Sequence, residues 1–434
     1  MTAQPSPRGE RRPELDALRA LVVVGLVFFH SSLVFEPGGD FYVTNAQTTE
    51  LTTIFAALCV VWAMPLLFLV SGLGAWHSLR RRGAGGFAVE RLRRLGVPLV
   101  FATLVLLPFP QWLRLRADPA YHDSYLRFWP HFFEVRLEPS EFPFIVQGTF
   151  YETGHLWFVV LLLVYSLLLA ALARRVPPGL GRRIRDGVVS ATRRRGSVLL
   201  LPAAPLALVS ALLGVEEDYG GWSRWAYLLF FLFGFALAAD PRLRAAMRRD
   251  AVVAAVLGVA LVGAGTPLFL IAAETPGADP FMDLSALAII ARTLYGAAGW
   301  CWLVAILGLL DRRRPAPTAE KATEEAAVEA MVEATVEATE RIAVEASAEE
   351  AGTGSGEQDK RPRRMYGYLA AAVLPVYILH QPIVVGVAYL VVGWSAPVAV
   401  KFALIVAASL ALTFAAYDVL VRRTRVTRFL FGMR

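Results

Sequence analysis

Residues 155–173 read HLWFVVLLLVYSLLLAALA, and Arg174 and Arg175 follow directly. The stretch contains no Asp, Glu, Lys or Arg. A helix rises about 1.5 Å per residue, so this stretch would be roughly 28 Å long, close to the hydrocarbon thickness of a bilayer, about 30 Å. It therefore predicts a membrane-spanning helix.

Similar apolar runs recur along the chain of 434 residues, of which 56% are hydrophobic and 18% are charged. An ordinary soluble domain is about a quarter charged. Together with the first, the runs cover residues 20–35, 51–76, 97–113, 155–173, 197–214, 222–239, 251–272, 284–310, 367–392 and 395–420. We predict an all-α polytopic membrane bundle of about ten transmembrane helices.

The basic residues predict the orientation of these spans. If the N-terminus is inside, 36 of the 43 Lys and Arg residues fall in cytoplasmic segments. Cytoplasmic loops are enriched in these residues, so both termini are expected on the cytoplasmic side of an inner-type membrane. The basic net charge would suggest a nucleic-acid partner in a soluble protein, but here it follows the topology, and no nucleic-acid binding is expected.

The composition divides the chain into three parts. Residues 1–310 hold the first eight predicted spans, and residues 366–434 hold the last two with a basic cytoplasmic tail. Between them, residues 311–365 are rich in Ala and Glu, with Val-Glu-Ala units starting at 328, 332 and 336, which is typical of a cytoplasmic linker. The aromatic segments 35–49 and 114–153 are expected outside, where they would shape an acceptor site.

Ionisable residues inside a membrane are costly and are candidates for a functional site. From the rise per residue, His30 lies about 16 Å and His380 about 20 Å above the cytoplasmic face, and Arg292 lies about 18 Å above it. His155 opens the fourth span just above this level. The alternative interpretation is that each histidine is a neutral packing residue. Cysteines with metal-ligand spacing are absent from the sequence, so no metal site is predicted.

Arginines gather where the second and third predicted spans meet the cytoplasm. Arg91 and Arg94 belong to this cluster, together with Arg80, Arg81, Arg82 and Arg93. Such a cluster commonly sets topology or binds anionic lipid. Because guanidinium groups also bind phosphate oxygens bidentately, the cluster and Arg19 can equally hold a phosphorylated cytoplasmic cofactor.

Short motifs spread along the chain carry a family resemblance. They are Leu15-Asp16-Ala17-Leu18-Arg19, Phe29-His30-Ser31-Ser32-Leu33, Phe68-Leu69-Val70-Ser71-Gly72, Arg91-Leu92-Arg93-Arg94-Leu95-Gly96-Val97-Pro98, His155-Leu156-Trp157-Phe158 and Tyr377-Ile378-Leu379-His380-Gln381-Pro382. In order and spacing, the sequence resembles the membrane acyltransferase 3 family. Within that family it is most similar to the branch that modifies osmoregulated periplasmic glucans.

The resemblance implies transfer of an acyl group from acyl-CoA, or a related cytoplasmic donor, to a hydroxyl of a carbohydrate or glucan. It implies that His30 is essential and that Arg19, Arg91 and Arg94 hold the donor. His155, Trp157, Tyr377 and His380 match motif positions of the glucan-modifying branch. A soluble hydrolase-like domain after the tenth span, found in some relatives, has no counterpart here, which leaves the acceptor open.

The chemistry of acyl transfer suggests roles for these residues. A hydroxyl that attacks a thioester needs a base matched to neutral pH, and His30 is the natural one. The oxyanion that develops needs hydrogen-bond donors, for which we consider Arg292, His380 and Tyr377. Asp16 is three residues before Arg19 and is expected to pair with it at the inner mouth.

Two other classes of protein also use many spans with buried polar groups. One is a secondary transporter or lipid-linked sugar flippase, although the inverted repeats common in transporters are not evident. The other is a membrane scaffold or sensor without turnover. Transfer of labelled acyl groups to a polysaccharide distinguishes the enzyme from both.

Overall fold

The computed structural model describes residues 13–312 and 361–433, and these form a bundle of α-helices. The predicted all-α class is confirmed. Most of the predicted linker 311–365 lies outside the described residues: only residues 311–312 and 361–365 are described, as parts of the flanking helices.

Fifteen α-helices follow one another along the described residues. The first eight are α1 Pro13–Leu33, α2 Glu50–Val60, α3 Ala63–Arg91, α4 Val97–Val105, α5 Pro108–Arg116, α6 Tyr125–His131, α7 Trp157–Arg175 and α8 Pro178–Ala191. The others are α9 Ser197–Leu213, α10 Arg224–Ala239, α11 Pro241–Ala273, α12 Ala286–Arg312, α13 Arg361–Val391, α14 Val398–Ala416 and α15 Arg425–Leu430.

Shorter elements join these helices. Strand β1, Val135–Leu137, pairs antiparallel with β2, Val146–Gly148, within the aromatic segment between α6 and α7. Three-residue 3₁₀ turns are Pro139–Glu141, Gly154–Leu156 and Glu217–Tyr219, and π-helical segments are Leu92–Gly96 and Tyr417–Val421. The hairpin lies within the aromatic segment 114–153.

Seven segments of the described chain are long and apolar enough to cross a membrane. They are Glu14–Leu33, Glu50–Arg116, Gly154–Arg175, Pro241–Ala273, Ala286–Arg312, Gly367–Val391 and Val398–Val421. The segment Glu50–Arg116 has 67 residues, which as one straight helix would measure about 100 Å, several times the thickness of a bilayer. It is broken into α2 to α5. Helices α9 and α10 are shorter apolar helices.

Two glycines allow α3 and α10 to pack with their backbones nearly in contact. A Cβ atom on Gly234 would lie 1.8 Å from the carbonyl oxygen of Leu69, and one on Gly72 would lie 2.0 Å from that of Phe231. Small residues permit such close approach between membrane helices. The motif Phe68–Gly72 therefore has a packing role.

Helices α1 and α13 pack along each other. Helix α13 also contacts α14 and α5, while α7 packs against α3. Helices α9, α11 and α12 pack together, and α9 and α11 also contact α10. The 3₁₀ turn before α7 contacts α13, so α1, α13 and this turn border a common region of the bundle.

Lys401, on α14, lies within the apolar run 395–420. The side chain is buried, and its Nζ atom donates hydrogen bonds to Oδ1 of Asn45 at 2.9 Å and to the carbonyl oxygen of Val392 at 2.7 Å. The segment after α1 folds back over α14 and satisfies the ammonium group internally.

Candidate active site

Three histidines from three parts of the chain meet where α1, α13 and the 3₁₀ turn before α7 come together. The ring centre of His380, in α13, lies 5.1 Å from that of His30 and 5.2 Å from that of His155. His30 is in the last turn of α1, and His155 is in the 3₁₀ turn before α7. His155 and His380 are buried, and His30 is half-buried. The prediction that His30 and His380 share one level is confirmed.

Backbone carbonyls define the tautomers of two of these rings. Nδ1 of His380 lies 2.6 Å from the carbonyl oxygen of Tyr377, and Nε2 of His155 lies 3.1 Å from that of Ile378. Because a carbonyl oxygen only accepts, each of these nitrogens carries a hydrogen, which in a neutral ring leaves the other nitrogen as an acceptor. Nε2 of His380 and Nδ1 of His155 are then acceptors, and both are buried without a hydrogen-bond partner. Nδ1 of His30 is also buried and unpaired.

Pro382 explains why a helix carbonyl is free to bind His155. Proline has no N–H, so it cannot donate to the carbonyl four residues earlier, which here is that of Ile378. Two neighbours add to this support. Oε1 of Gln381 accepts a hydrogen bond from the His155 backbone N–H at 3.1 Å, and the Tyr377 hydroxyl donates to the His155 carbonyl. The motif Tyr377–Pro382 therefore holds His155 in position.

We expect Pro382→Ala to lower the turnover of acyl transfer about fivefold while raising the thermal unfolding temperature. The alanine N–H would compete for the Ile378 carbonyl, and one hydrogen bond contributes about 1 kcal/mol. Removing proline from a helix interior relieves a cost of about 3 kcal/mol. Turnover and unfolding of the purified protein test this.

Pro375→Ala, in the same helix, is the matched control and should leave turnover unchanged. Equal turnover in the Pro382→Ala variant and the wild type would show that the Ile378 carbonyl does not position His155 for catalysis.

The structure corrects the proposed oxyanion donors. The hydroxyl of Tyr377 is bound to the His155 carbonyl, and the N–H of neutral His380 is bound to the Tyr377 carbonyl. In Arg292, Nε donates to Ser210 O at 3.1 Å, Nη1 to Pro280 O at 2.9 Å, and Nη2 to Ala211 O at 3.0 Å and Asp283 O at 2.6 Å. Since all four carbonyls lie in α9 and the loop before α12, Arg292 serves a structural role away from the histidines.

We expect Arg292→Leu to lower the free energy of unfolding by about 3 kcal/mol or more, because a buried acceptor left unpaired costs about 1–3 kcal/mol. Acyl transfer should fall only in proportion to the amount of folded protein. Thermal unfolding and turnover per folded molecule test this.

Arg127→Leu removes an exposed guanidinium on α6 and is the matched control for this test. A fully stable Arg292→Leu protein that has lost turnover would instead support an oxyanion role.

Trp157 lies in an aromatic cluster next to the site. Its ring centre lies 5.2 Å from that of Tyr227, 5.9 Å from that of Tyr219 and 6.3 Å from that of Phe68. The side chain is buried. Trp157 therefore packs the start of α7 against α3 and α10.

Arg19 and His30 lie on the same side of α1. They are eleven residues apart, about three full turns with about 20° to spare and a rise of about 16 Å. Nη1 of Arg19 pairs with Oδ1 of Asp16 at 3.1 Å, as predicted, and Nη2 donates to the Val70 carbonyl at 2.6 Å. Arg19 therefore lies below the histidines, between α1 and α3.

The other two donor-binding candidates lie near Arg19. Arg91 and Arg94 are close enough to Arg19 for their charges to repel. The Arg91 guanidinium lies 5.0 Å from the ring centre of Phe87, and its Nε atom is buried without a partner. Arg94 is 3.7 Å from Glu90. The structure brings the three predicted arginines together at one mouth of the bundle.

Residues from the aromatic segments 35–49 and 114–153, which were not singled out from the sequence, line the other side of the site. The ring of Phe41 is stacked with that of His30 at 6.0 Å, and the Arg114 guanidinium lies 4.9 Å from the ring centre of Tyr42. Burial raises the pKa of the Glu152 carboxyl group, and the neighbouring Tyr42 hydroxyl and Arg114 oppose this rise. In the sequence, only the aromatic composition of these segments indicated a role in the site.

Within residues 13–312 and 361–433, no group of three or more His, Cys, Asp or Glu residues is arranged to hold a metal ion.

Fold and site define a helical membrane protein with a buried histidine centre and an arginine cluster at one mouth. Residues 12–319 match a family model described as an acyltransferase domain, that of acyltransferase 3. The match covers more than half of the chain, which therefore belongs to the acyltransferase 3 family.

Curated relatives are more distant. Glucans biosynthesis protein C of Escherichia coli strain K12 is 24% identical over 167 residues, 38% of this chain and 40% of that protein. The protein of the same name from Escherichia coli O6:K15:H31 (strain 536 / UPEC) shows the same identity and coverage. The chain thus matches about two fifths of the length of these relatives. No solved structure matches it significantly.

Proposed function

We propose that this chain is a ten-span O-acyltransferase of a bacterial-type cytoplasmic membrane, with both termini cytoplasmic. It moves an acyl group from a cytoplasmic acyl-CoA donor to a hydroxyl of a carbohydrate, by preference a glucan, at the outer face. The observation that carries the proposal is the meeting of three histidines that present unpaired ring nitrogens, above an arginine cluster on the same side of α1.

Ten membrane crossings agree both with the lengths of the apolar helices and with the distribution of the basic segments. The segment Glu50–Arg116 needs two crossings because of its length, and α9 and α10 each supply one in addition to the six other long segments. This count places the basic segments on one side, where the positive-inside rule expects the cytoplasm. His30, near the end of α1, then lies nearer the outer face and Arg19 nearer the inner face.

The arginine cluster suits the charged end of the donor. Acyl-CoA carries phosphates on its nucleotide and its acyl thioester at the end of a long pantetheine arm. Guanidinium groups bind phosphate oxygens well, so Arg19, Arg91 and Arg94 would hold the nucleotide at the cytoplasmic mouth. The unpaired Nε of Arg91 is a donor for such a phosphate. The arm would follow α1 upward for about 16 Å to reach His30.

The reaction then requires one base at the outer end of this path. His30 takes the proton of the acceptor hydroxyl as its oxygen attacks the thioester carbonyl. The tetrahedral intermediate collapses with loss of the CoA thiolate, which receives the proton back from His30. An ester bond forms and a thioester bond breaks. His380, with its hydrogen held on Nδ1, keeps an acceptor nitrogen within the histidine site, where its ring centre lies 5.1 Å from that of His30.

Label transfer in proteoliposomes tests this function. Purified protein is given radiolabelled acetyl-CoA or succinyl-CoA with β-linked glucose oligosaccharides, and protein-free liposomes are the control. We expect label in the oligosaccharide and release of free CoA in equal amounts. Movement of unmodified oligosaccharide across the bilayer without label transfer would instead indicate a transporter.

A further inference from the structure

An outer polar cluster, formed by Tyr42, Arg114 and Glu152, borders the histidine site on the side away from Arg19. The three residues come from separate segments: the stretch after α1, the end of α5 and the stretch before the 3₁₀ turn Gly154–Leu156. The Arg114 guanidinium lies 4.9 Å from the Tyr42 ring centre, and the Tyr42 hydroxyl lies beside the Glu152 carboxyl group. These polar groups therefore form one cluster.

The cluster is continuous with the histidines. Glu152 is three residues before His155. A Cβ atom on the intervening Gly154 would lie 2.9 Å from the Tyr42 hydroxyl oxygen and 3.4 Å from Oε1 of Gln381, the atom that binds the His155 N–H. Phe41, next to Tyr42, is stacked with His30. A ligand held by the cluster would thus be next to the reacting groups.

Two atoms of the cluster are buried and lack partners. They are Oε1 of Glu152, an acceptor, and Nε of Arg114, a donor. A buried polar atom without a hydrogen bond costs about 1–3 kcal/mol, so such atoms are rare and call for an explanation. An acceptor and a donor, both unpaired and in one cluster beside a transfer site, are complementary to neighbouring hydroxyl groups of a ligand.

We propose that Tyr42, Arg114 and Glu152 bind the carbohydrate acceptor through its hydroxyl groups and present one further hydroxyl to His30. One sugar hydroxyl donates to Oε1 of Glu152 and another accepts from Nε of Arg114. The assignment rests on the proposed acyltransferase function. It favours a neutral polyhydroxyl acceptor, because Glu152 and the adjacent Asp40 would repel an anionic one.

Binding measured without turnover tests the assignment. Labelled β-linked glucose oligosaccharides are titrated against the detergent-purified full chain in the absence of acyl-CoA. We expect Glu152→Gln to weaken binding at least tenfold, since hydrogen bonds to charged groups are the stronger ones. Tyr42→Phe should weaken binding a few-fold, because Glu152 loses its neighbouring hydroxyl. Tyr42→Phe also gives a result if Glu152→Gln fails to fold.

Glu134→Gln is the matched control, since Glu134 is exposed in the same outer segment, where it pairs with His131. It should bind oligosaccharide as the wild type does. Binding by Glu152→Gln and Tyr42→Phe within twofold of the wild type would overturn the assignment, as would a wild type that binds no oligosaccharide. Breakdown of acyl-CoA that depends on His30, measured without oligosaccharide, reports separately on the acyltransferase function.

Discussion

Replacing His30 with alanine is expected to lower the turnover of acyl transfer by about 10²- to 10⁴-fold, the usual contribution of a general base. The folded protein should remain, because the His30 side chain makes no hydrogen bond that the structure shows and Nδ1 is unpaired. Binding of acyl-CoA should also persist, because Arg19, one of the arginines that would hold it, lies about 16 Å away along α1.

Single-turnover transfer from radiolabelled acyl-CoA to oligosaccharide, together with thermal unfolding, measures these effects. His131→Ala is the matched control, since His131 is an exposed histidine outside the spans and pairs only with Glu134 among the described residues. It should transfer at the wild-type rate. A His30→Ala protein that transfers within threefold of the wild type would refute the base assignment.

Replacing Gly234 with alanine is expected to lower the free energy of unfolding by about 3 kcal/mol or more, at the upper end of the cost of overpacking. The added methyl group would lie 1.8 Å from the Leu69 carbonyl oxygen and 2.7 Å from the carbonyl carbon. Both are backbone atoms, so no side-chain rotation relieves the overlap. Helices α3 and α10 would have to separate, which would also loosen the aromatic packing of Phe68 against Tyr227.

Thermal unfolding in detergent and the yield of monodisperse protein measure this loss. Gly263→Ala in α11 is the matched control, because a Cβ atom there would meet no atom within 4 Å. It should be as stable as the wild type or slightly more so. Equal stability of the two variants would show that α3 and α10 do not pack as closely as the structure has them.

The sequence predicted the helical class, the shared level of His30 and His380, and the pairing of Asp16 with Arg19. These predictions rely on helix geometry, in which the rise per residue is constant and residues three apart are neighbours. The rise along a helix gives a residue's height in the bundle, but it does not say which residues of other helices lie beside it. Arg292 was expected beside the histidines for that reason, yet its guanidinium binds carbonyls in α9 and the loop before α12.

Other parts of the site depend on how segments far apart in sequence meet. Sequence motifs singled out Tyr377 as a possible oxyanion donor, whereas its hydroxyl holds the backbone of His155. Glu152 and Tyr42 lie in irregular segments without periodicity, so nothing in the sequence placed them together. The same holds for the contact of the buried Lys401 with Asn45, because Asn45 also lies in an irregular segment.

The central claim is that transfer occurs between opposite faces of the membrane at the histidine site. Proteoliposomes of one protein orientation, with radiolabelled acyl-CoA at the face of the arginine cluster, test it most directly. We predict that oligosaccharide at the opposite face acquires the label and that oligosaccharide supplied only at the donor's face does not. Labelling only when donor and oligosaccharide share a face would contradict the account.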